Sequence, residues 1–198
     1  FAIILVPFVM ILEQPDLGTA LMLLFGGLVV VFSAGLPWRY VFGSLAAVLA
    51  AVPLLWVQLK DYQKARVMTF LNPESDVLGA GYQIAQSKIA LGSGGFFGKG
   101  FLMGSQSQLN YLPEKQTDFV FTMIGEEFGF AGNVFILLIY LLITIAILRI
   151  SFRVNSRFAQ LTCIGIGMMV FFYMFVNVAM VTGLLPVVGA PLLSLIHI

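Results

Sequence analysis

The sequence predicts an all-α protein: a polytopic bundle of about five transmembrane helices forming a single membrane domain over 1–198, with one long extracytoplasmic loop over 60–117. Three observations predict it. Of the 198 residues, 60% are hydrophobic and 10% charged, against roughly 25% charged in an ordinary soluble domain; the mean hydropathy is +1.02. The apolar residues gather into runs near the ~20-residue length that a bilayer core requires. Lys and Arg are sorted between the loops that join those runs. The formal net charge of +1, from Lys+Arg 10 and Asp+Glu 9, gives no basic field for nucleic acid and no acidic tail. The one cysteine, Cys163, and the one histidine, His197, exclude a disulfide framework, a His-based metal site and a Ser-His-Asp triad. Chemistry must come from carboxylates, Lys, Arg and the backbone.

The first run, Phe1 to Leu12, is short, starts without Met or a charged signal-peptide region, and reads as a helix cut by the boundary of a fragment. The polar break Glu13-Gln14-Pro15-Asp16 leads into Leu17–Leu36, where Pro15 suits a first helical turn. A third span, Trp38 to Leu59, follows Gly35-Leu36-Pro37, with a kink expected at Pro53. From Lys60 to Thr117 no run is long enough to span. The fourth helix begins between Asp118 and Phe128 and runs to Ile150; the fifth covers about Phe158 to Val181 before Gly183 and Pro186.

Short cytoplasmic loops accumulate Lys and Arg. Arg39 lies between the second and third spans, and Arg149, Arg153 and Arg157 lie between the fourth and fifth, with no acid in either place. Both turns are therefore expected inside the cell. Alternation then puts all nine carboxylates on the outer side.

A polar interval as long as 60–117 usually carries function. Within it, Asn72-Pro73-Glu74-Ser75-Asp76 reads as a turn. Tyr82 to Ile89 reads as a short amphipathic helix with Tyr82, Ala85 and Ile89 on one face, Gly92 as its stop, and a surface able to lie on the bilayer. Lys88, on its polar flank, has two readings: a phosphate ligand or a snorkelling surface cation. Gly92 to Gly100 invites a phosphate-loop reading but fails it, because Ser93 and Gly100 stand where that motif needs Gly and Ser or Thr. What remains is either a flexible loop whose amides approach a diphosphate or a plain loop with Phe96 and Phe97 dipping into the interface.

Tyr111 to Phe119 ends at a helix start on the membrane surface, where Thr117 or Asp118 would serve as an N-cap. Glu114, Asp118, Glu126 and Glu127 gather at the edge of hydrocarbon, where ionisable groups are costly and usually have a task. Glu126 lies about 80° round and ~12 Å along from Asp118 on a helix, so the two are expected to line one cavity. Glu127 is expected to point away and pack on a basic partner. Glu13 and Asp16 are read either as complements to a helix N-terminus or as site members.

Gln14-Pro15-Asp16-Leu17-Gly18-Thr19, Asn72-Pro73-Glu74-Ser75-Asp76, Gly79-x-Gly81-Tyr82-Gln83, Gln86-Ser87-Lys88-Ile89-Ala90 and Tyr111-Leu112-Pro113-Glu114-x-x-Thr117-Asp118-Phe119 together resemble the shape, elongation, division and sporulation family. Gln86-Ser87-Lys88, Gly92-Ser93-Gly94-Gly95 and Gln106-Ser107-Gln108-Leu109 resemble its rod-shape-determining branch more than its division branch. The resemblance runs from about Glu13 to Ser194. After Leu192 the sequence departs from the family pattern, so the last four residues are expected to be truncated or out of frame and His197 to carry no role.

The resemblance implies a ten-helix, multi-pass enzyme of the bacterial inner (cytoplasmic) membrane with its active site facing outward. Such an enzyme is a peptidoglycan glycosyltransferase that polymerises lipid II into glycan strands, releases undecaprenyl diphosphate and works with a class B penicillin-binding protein. This chain would supply the middle and later half, with 60–117 as the loop between the seventh and eighth helices. The family's essential carboxylate corresponds to Asp118. A divalent cation, Mg or Mn, is also implied, although the sequence defines no metal site. On this reading Asp118 is the general base, supported by Glu114 or Glu126, and Lys88, Lys99, Arg66 and Lys115 are candidates for the diphosphate. The rivals are a flippase for the lipid-linked precursor, which should carry cations along its path at mid-membrane where these spans have none, and a non-catalytic scaffold for cell-wall synthases.

Overall fold

A computed structural model of the chain describes residues 2–14, 17–40, 42, 43, 46, 50, 61–72, 79–108, 117–187, 189 and 192. Among them every regular element is a helix: α1 (Ala2–Glu13), α2 (Leu17–Ser33), α3 (Asp61–Leu71), α4 (Ala80–Ser93), α5 (Ser105–Gln108), α6 (Val120–Ser151) and α7 (Arg157–Val181). Of these, α6 and α7 are long and apolar enough to cross a bilayer, whereas α1 and α2 are apolar but shorter. The expected third span, 38–59, is helical at 38–40, 42, 43, 46 and 50. The rest of it, with Pro53, lies outside the described residues, as do Pro15, Asp16 and the expected turn over 73–76.

Packing departs from chain order: α1 lies on α2, α2 on α7, and α7 on α6, while α4 lies against α6. Met22 is buried among Phe172, Tyr173 and Val176 where α2 meets α7. The main core sits at the end of the bundle where α6 begins and α7 ends, where Phe119, Phe121, Met180, Val181 and Leu192 are buried. Lower on α6, Phe135, Leu138 and Leu142 are exposed. A helix that faces hydrocarbon needs no apolar cover from protein, so burial is concentrated where the chain must hold polar groups together.

Most of the described residues between the third and fourth expected spans are helical. α4 extends beyond the expected 82–89, and the chain leaves it at Gly94 rather than at Gly92. The face it buries against protein is another than the apolar stripe expected to lie on the bilayer. Ile84, Ser87 and Ala90 are buried, whereas Ala85 and Ile89 of the expected apolar stripe are exposed. The reason is Ser87: its hydroxyl donates to the Val181 carbonyl at 2.9 Å and pairs with the Thr122 hydroxyl at 2.7 Å. A serine with two partners can be buried, and it turns the helix toward α6 and α7.

The 32 residues of α6 would extend about 48 Å as one rod, more than the ~30 Å of hydrocarbon. It is not one rod: Gly129 breaks it with φ 70°, ψ −162°. In an unbroken helix the amides of Phe130 and Ala131 would bond the carbonyls of Glu126 and Glu127. Here the glycine-rich loop enters the gap and satisfies all four groups. Lys99 N donates to Glu126 O and Gly100 N to Glu127 O, both at 3.0 Å, while Phe130 N donates to Gly95 O at 2.9 Å and Ala131 N to Phe96 O at 3.1 Å. The loop is therefore a splint in a broken helix, not a phosphate cradle, and the Lys99 and Gly100 amides are committed to that splint.

Glycine is required where the two backbones touch. A Cβ on Gly94 would strike the Gly125 carbonyl, one on Gly98 (φ +81°) the Glu127 carbonyl, and one on Gly129 the Gly98 amide. Gly98→Ala combines positive-φ strain with overpacking and is expected to cost about 3 kcal/mol. Gly92, with nothing within 4 Å of its would-be Cβ, should tolerate Ala or gain about 0.5 kcal/mol from it. Unfolding midpoints of the two variants in detergent test this, and equal midpoints would contradict the splint.

Candidate active site

Asp118 lies in the turn 117–119 that leads into α6. The N-cap position is held by Phe119, with no side-chain cap bond, so neither Thr117 nor Asp118 is the cap residue, while the helix start at Val120 lies within the expected range. The turn is fixed from α7: Asn177 Nδ2 donates to the Asp118 backbone carbonyl at 2.8 Å, and the Asn177 side chain is fully buried. The chain leaving α7 then passes Asp118. A Cβ on Gly189 (φ +70°) would sit 3.6 Å from Asp118 Oδ2. The same segment touches Lys88, since a Cβ on Gly183 (φ +75°) would lie 2.5 Å from its Cε and 2.6 Å from its Nζ. An exposed ammonium on α4 and the Asp118 carboxylate thus border one short stretch, 183–189, at the end of the bundle where α6 begins and α7 ends.

Glu126 is arranged differently from the expectation. Its side chain is fully buried and pairs with Lys99 Nζ at 2.8 Å. Ser105 Oγ, which accepts from Lys99 Nζ at 3.0 Å, donates to Glu126 Oε1 at 3.1 Å. The Gln106 amide adds donations to Oε1 at 3.1 Å and to Oε2 at 3.2 Å. A carboxylate enclosed in this way presents no surface toward Asp118, and Lys99, its side chain 28% exposed, is turned toward Glu126. The basic partner expected for Glu127 goes instead to Glu126. The cause is the splint, which brings Lys99 and α5 onto the Glu126 face. Glu127 is buried, and its carbonyl accepts the Gly100 amide.

The other expected site residues divide into two groups. Arg66 lies on α3, with its side chain outside the described set; Glu114 and Lys115 lie outside the described residues altogether. Glu13 is exposed at the end of α1. Among the described residues no group of three His, Cys, Asp or Glu side chains converges to hold a metal ion. The donor set for the implied divalent cation is thus incomplete within them, and no step is routed through it.

Sequence reasoning missed Asn177, Thr122, Gly183 and Gly189. Asn177 carried a signal, being a polar residue within the apolar run of α7, where such residues are expensive and usually have a partner. Away from this end, an apolar cavity of about 530 Å³ lies between α1, α2 and α7, bordered by Ile4, Gly27, Val30 and Gly165.

The family model FTSW_RODA_SPOVE, described as cell cycle protein, matches residues 1–195. Peptidoglycan glycosyltransferase MrdB of Escherichia coli strain K12 is 48% identical over 191 residues, 96% of this chain and 52% of the relative. Peptidoglycan glycosyltransferase RodA of Treponema pallidum is 34% identical, covering 98% of this chain and 61% of the relative. The chain therefore spans about half the length of such curated relatives. A solved structure on the coordination of polymerization and crosslinking by a peptidoglycan synthase complex contains a similar chain, with a TM-score of 0.72 and 38% identity over 91% of this chain and 49% of that one.

The Asn177 contact has a direct test. Asn177→Leu leaves the half-buried Asp118 carbonyl without this donor and should cost about 1 kcal/mol, measured as a lowered unfolding midpoint in detergent. A midpoint equal to that of the unsubstituted protein would mean that the turn is held by other contacts.

Proposed function

The chain belongs to the FTSW_RODA_SPOVE family of cell cycle proteins, and from that premise we propose that it forms the later half of a peptidoglycan glycosyltransferase that joins lipid II units into glycan strands during cell elongation. The observation that carries the reading is the 183–189 segment, with the Asp118 carboxylate at one end and the Lys88 ammonium at the other. The relatives named as peptidoglycan glycosyltransferases support it.

The reaction forms a bond from an acceptor sugar hydroxyl to an anomeric carbon and breaks the bond from that carbon to a lipid diphosphate. Asp118 takes the hydroxyl proton as the oxygen attacks, a general-base contribution of about 10² to 10⁴ in rate. The bonding pair leaves with the diphosphate, and Lys88 meets the charge that grows there. Arg66 and Lys115 remain candidates for the same anion. The undecaprenyl chain lies along apolar helix faces, of which the cavity between α1, α2 and α7 is one. The proposed partner is a class B penicillin-binding protein, in keeping with the synthase complex that contains the similar chain. The catalytic end faces outward from the bacterial cytoplasmic membrane.

Two measurements test this. The complete protein, with its partner synthase and labelled lipid II, should make long glycan chains, and Asp118→Asn should lower the rate at least ~10²-fold. Equal polymer from both proteins would remove Asp118 as the base, and no polymer from the unsubstituted protein would favour a flippase or a scaffold. For orientation, Ser93 and Ser156 are both exposed. Ser93→Cys should react with an impermeant maleimide in intact cells and Ser156→Cys should not; the reverse pattern would invert the topology.

A further inference from the structure

We propose that Glu126 is a positioning residue for Asp118: through Lys99, Ser105 and the Gln106 amide it clamps the short helical piece that carries Asp118, and it exchanges no proton with substrate. This rests on the reaction proposed above and assigns Glu126 a part in it different from a second base.

The argument begins with access. A general base must come within about 2.6–3.2 Å of the group whose proton it takes, and the Glu126 side chain has no exposed surface. Its oxygens are occupied by Lys99, Ser105 and the Gln106 amide. Those donors lie on the segment 99–106, which also enters the break at Gly129.

The second consideration is mechanical. Below Gly129, α6 is fixed by its packing on α7. Above it, residues 120–128 form a piece of little more than two turns that the helix backbone does not tie directly to the lower part. Its orientation depends on side contacts. Asp118, Thr122 and Glu126 succeed one another at four-residue spacing, and each is tied to a different neighbour. The Asp118 carbonyl is held by Asn177 of α7, the Thr122 hydroxyl by Ser87 of α4, and the Glu126 carboxylate by the loop and α5. The Glu126 tie is the ionic one of the three, and it sits beside the break, where loss of restraint would let the whole piece pivot. A reacting group displaced by about 1 Å loses about 10²-fold in rate. Glu126 therefore acts on the reaction through the placing of Asp118.

The test uses the complete protein with its partner synthase in nanodiscs, as unsubstituted protein and as Glu126→Gln, Lys99→Met and Lys99→Arg. Polymerisation kcat and KM for lipid II are measured together with hydrogen exchange at 118–128 and, as a reference, at 140–175. Glu126→Gln and Lys99→Met should lower kcat about 10- to 100-fold, leave KM within about threefold, and speed exchange at 118–128 but not at 140–175. Lys99→Arg, which keeps a donor and a charge, should recover most of kcat. Faster exchange throughout would mark a folding defect, in which case the Lys99→Arg recovery decides. A change mainly in KM, unchanged exchange at 118–128, or no recovery with Arg would overturn the proposal. Unsubstituted protein that makes no glycan would instead overturn the reaction itself, while exchange at 118–128 would still decide whether Glu126 clamps that piece.

Discussion

A peptide group in a low-dielectric setting cannot be left without a partner, and the break at Gly129 releases four of them at once. The end of the bundle that holds Asp118 is organised by how those four are satisfied. Gly95, Phe96, Lys99 and Gly100 must approach the helix backbone closely enough to bond it, which excludes side chains at Gly94 and Gly98. Once the loop is seated, Lys99 reaches Glu126, and α5 is carried close enough for its Gln106 amide to bond the same carboxylate. Cα geometry, glycine placement and the ion pair are thus consequences of one requirement. A break that would be ruinous in open hydrocarbon becomes a joint, because a second segment completes its hydrogen bonds.

The joint explains why polar residues collect on one stripe of an otherwise apolar helix. Above it, the short piece cannot rely on helix continuity, so it borrows rigidity from α4, α7 and the loop through Thr122, the Asp118 carbonyl and Glu126. Below it, α6 needs no such ties and presents Phe135, Leu138 and Leu142 outward. Two regimes therefore meet along one helix: one organised by hydrogen bonds, the other by apolar contact with its surroundings.

Much of this was legible in the sequence. Length and hydropathy define α6 and α7, because a run of apolar residues long enough to span has few other uses. The motif singled out Asp118 as a candidate, and the weakness of the phosphate-loop reading came from Ser93 and Gly100. What could not be read was pairing between distant segments. Nothing local announces that Lys99 meets Glu126, or that Glu127 has no basic partner among the described residues. Ser87 shows the same limit. Helical spacing gathered Tyr82, Ala85 and Ile89 on one apolar face, but it did not show that the face turned to protein would be the one carrying a hydroxyl satisfied by Thr122 and Val181. Gly183 and Gly189 escaped notice because a glycine's role depends on what approaches it.

Residues 118, 122 and 126 behave as a ruler cut to one length. A single residue inserted between Thr122 and Glu126 would rotate everything beyond it by about 100° and advance it ~1.5 Å. Thr122 would keep Ser87, but Glu126 would turn away from Lys99 and the loop would lose its register with the gap. Point changes on the opposite side of the same piece face no comparable demand. Across homologous chains, this stretch should therefore vary in composition far more freely than in length.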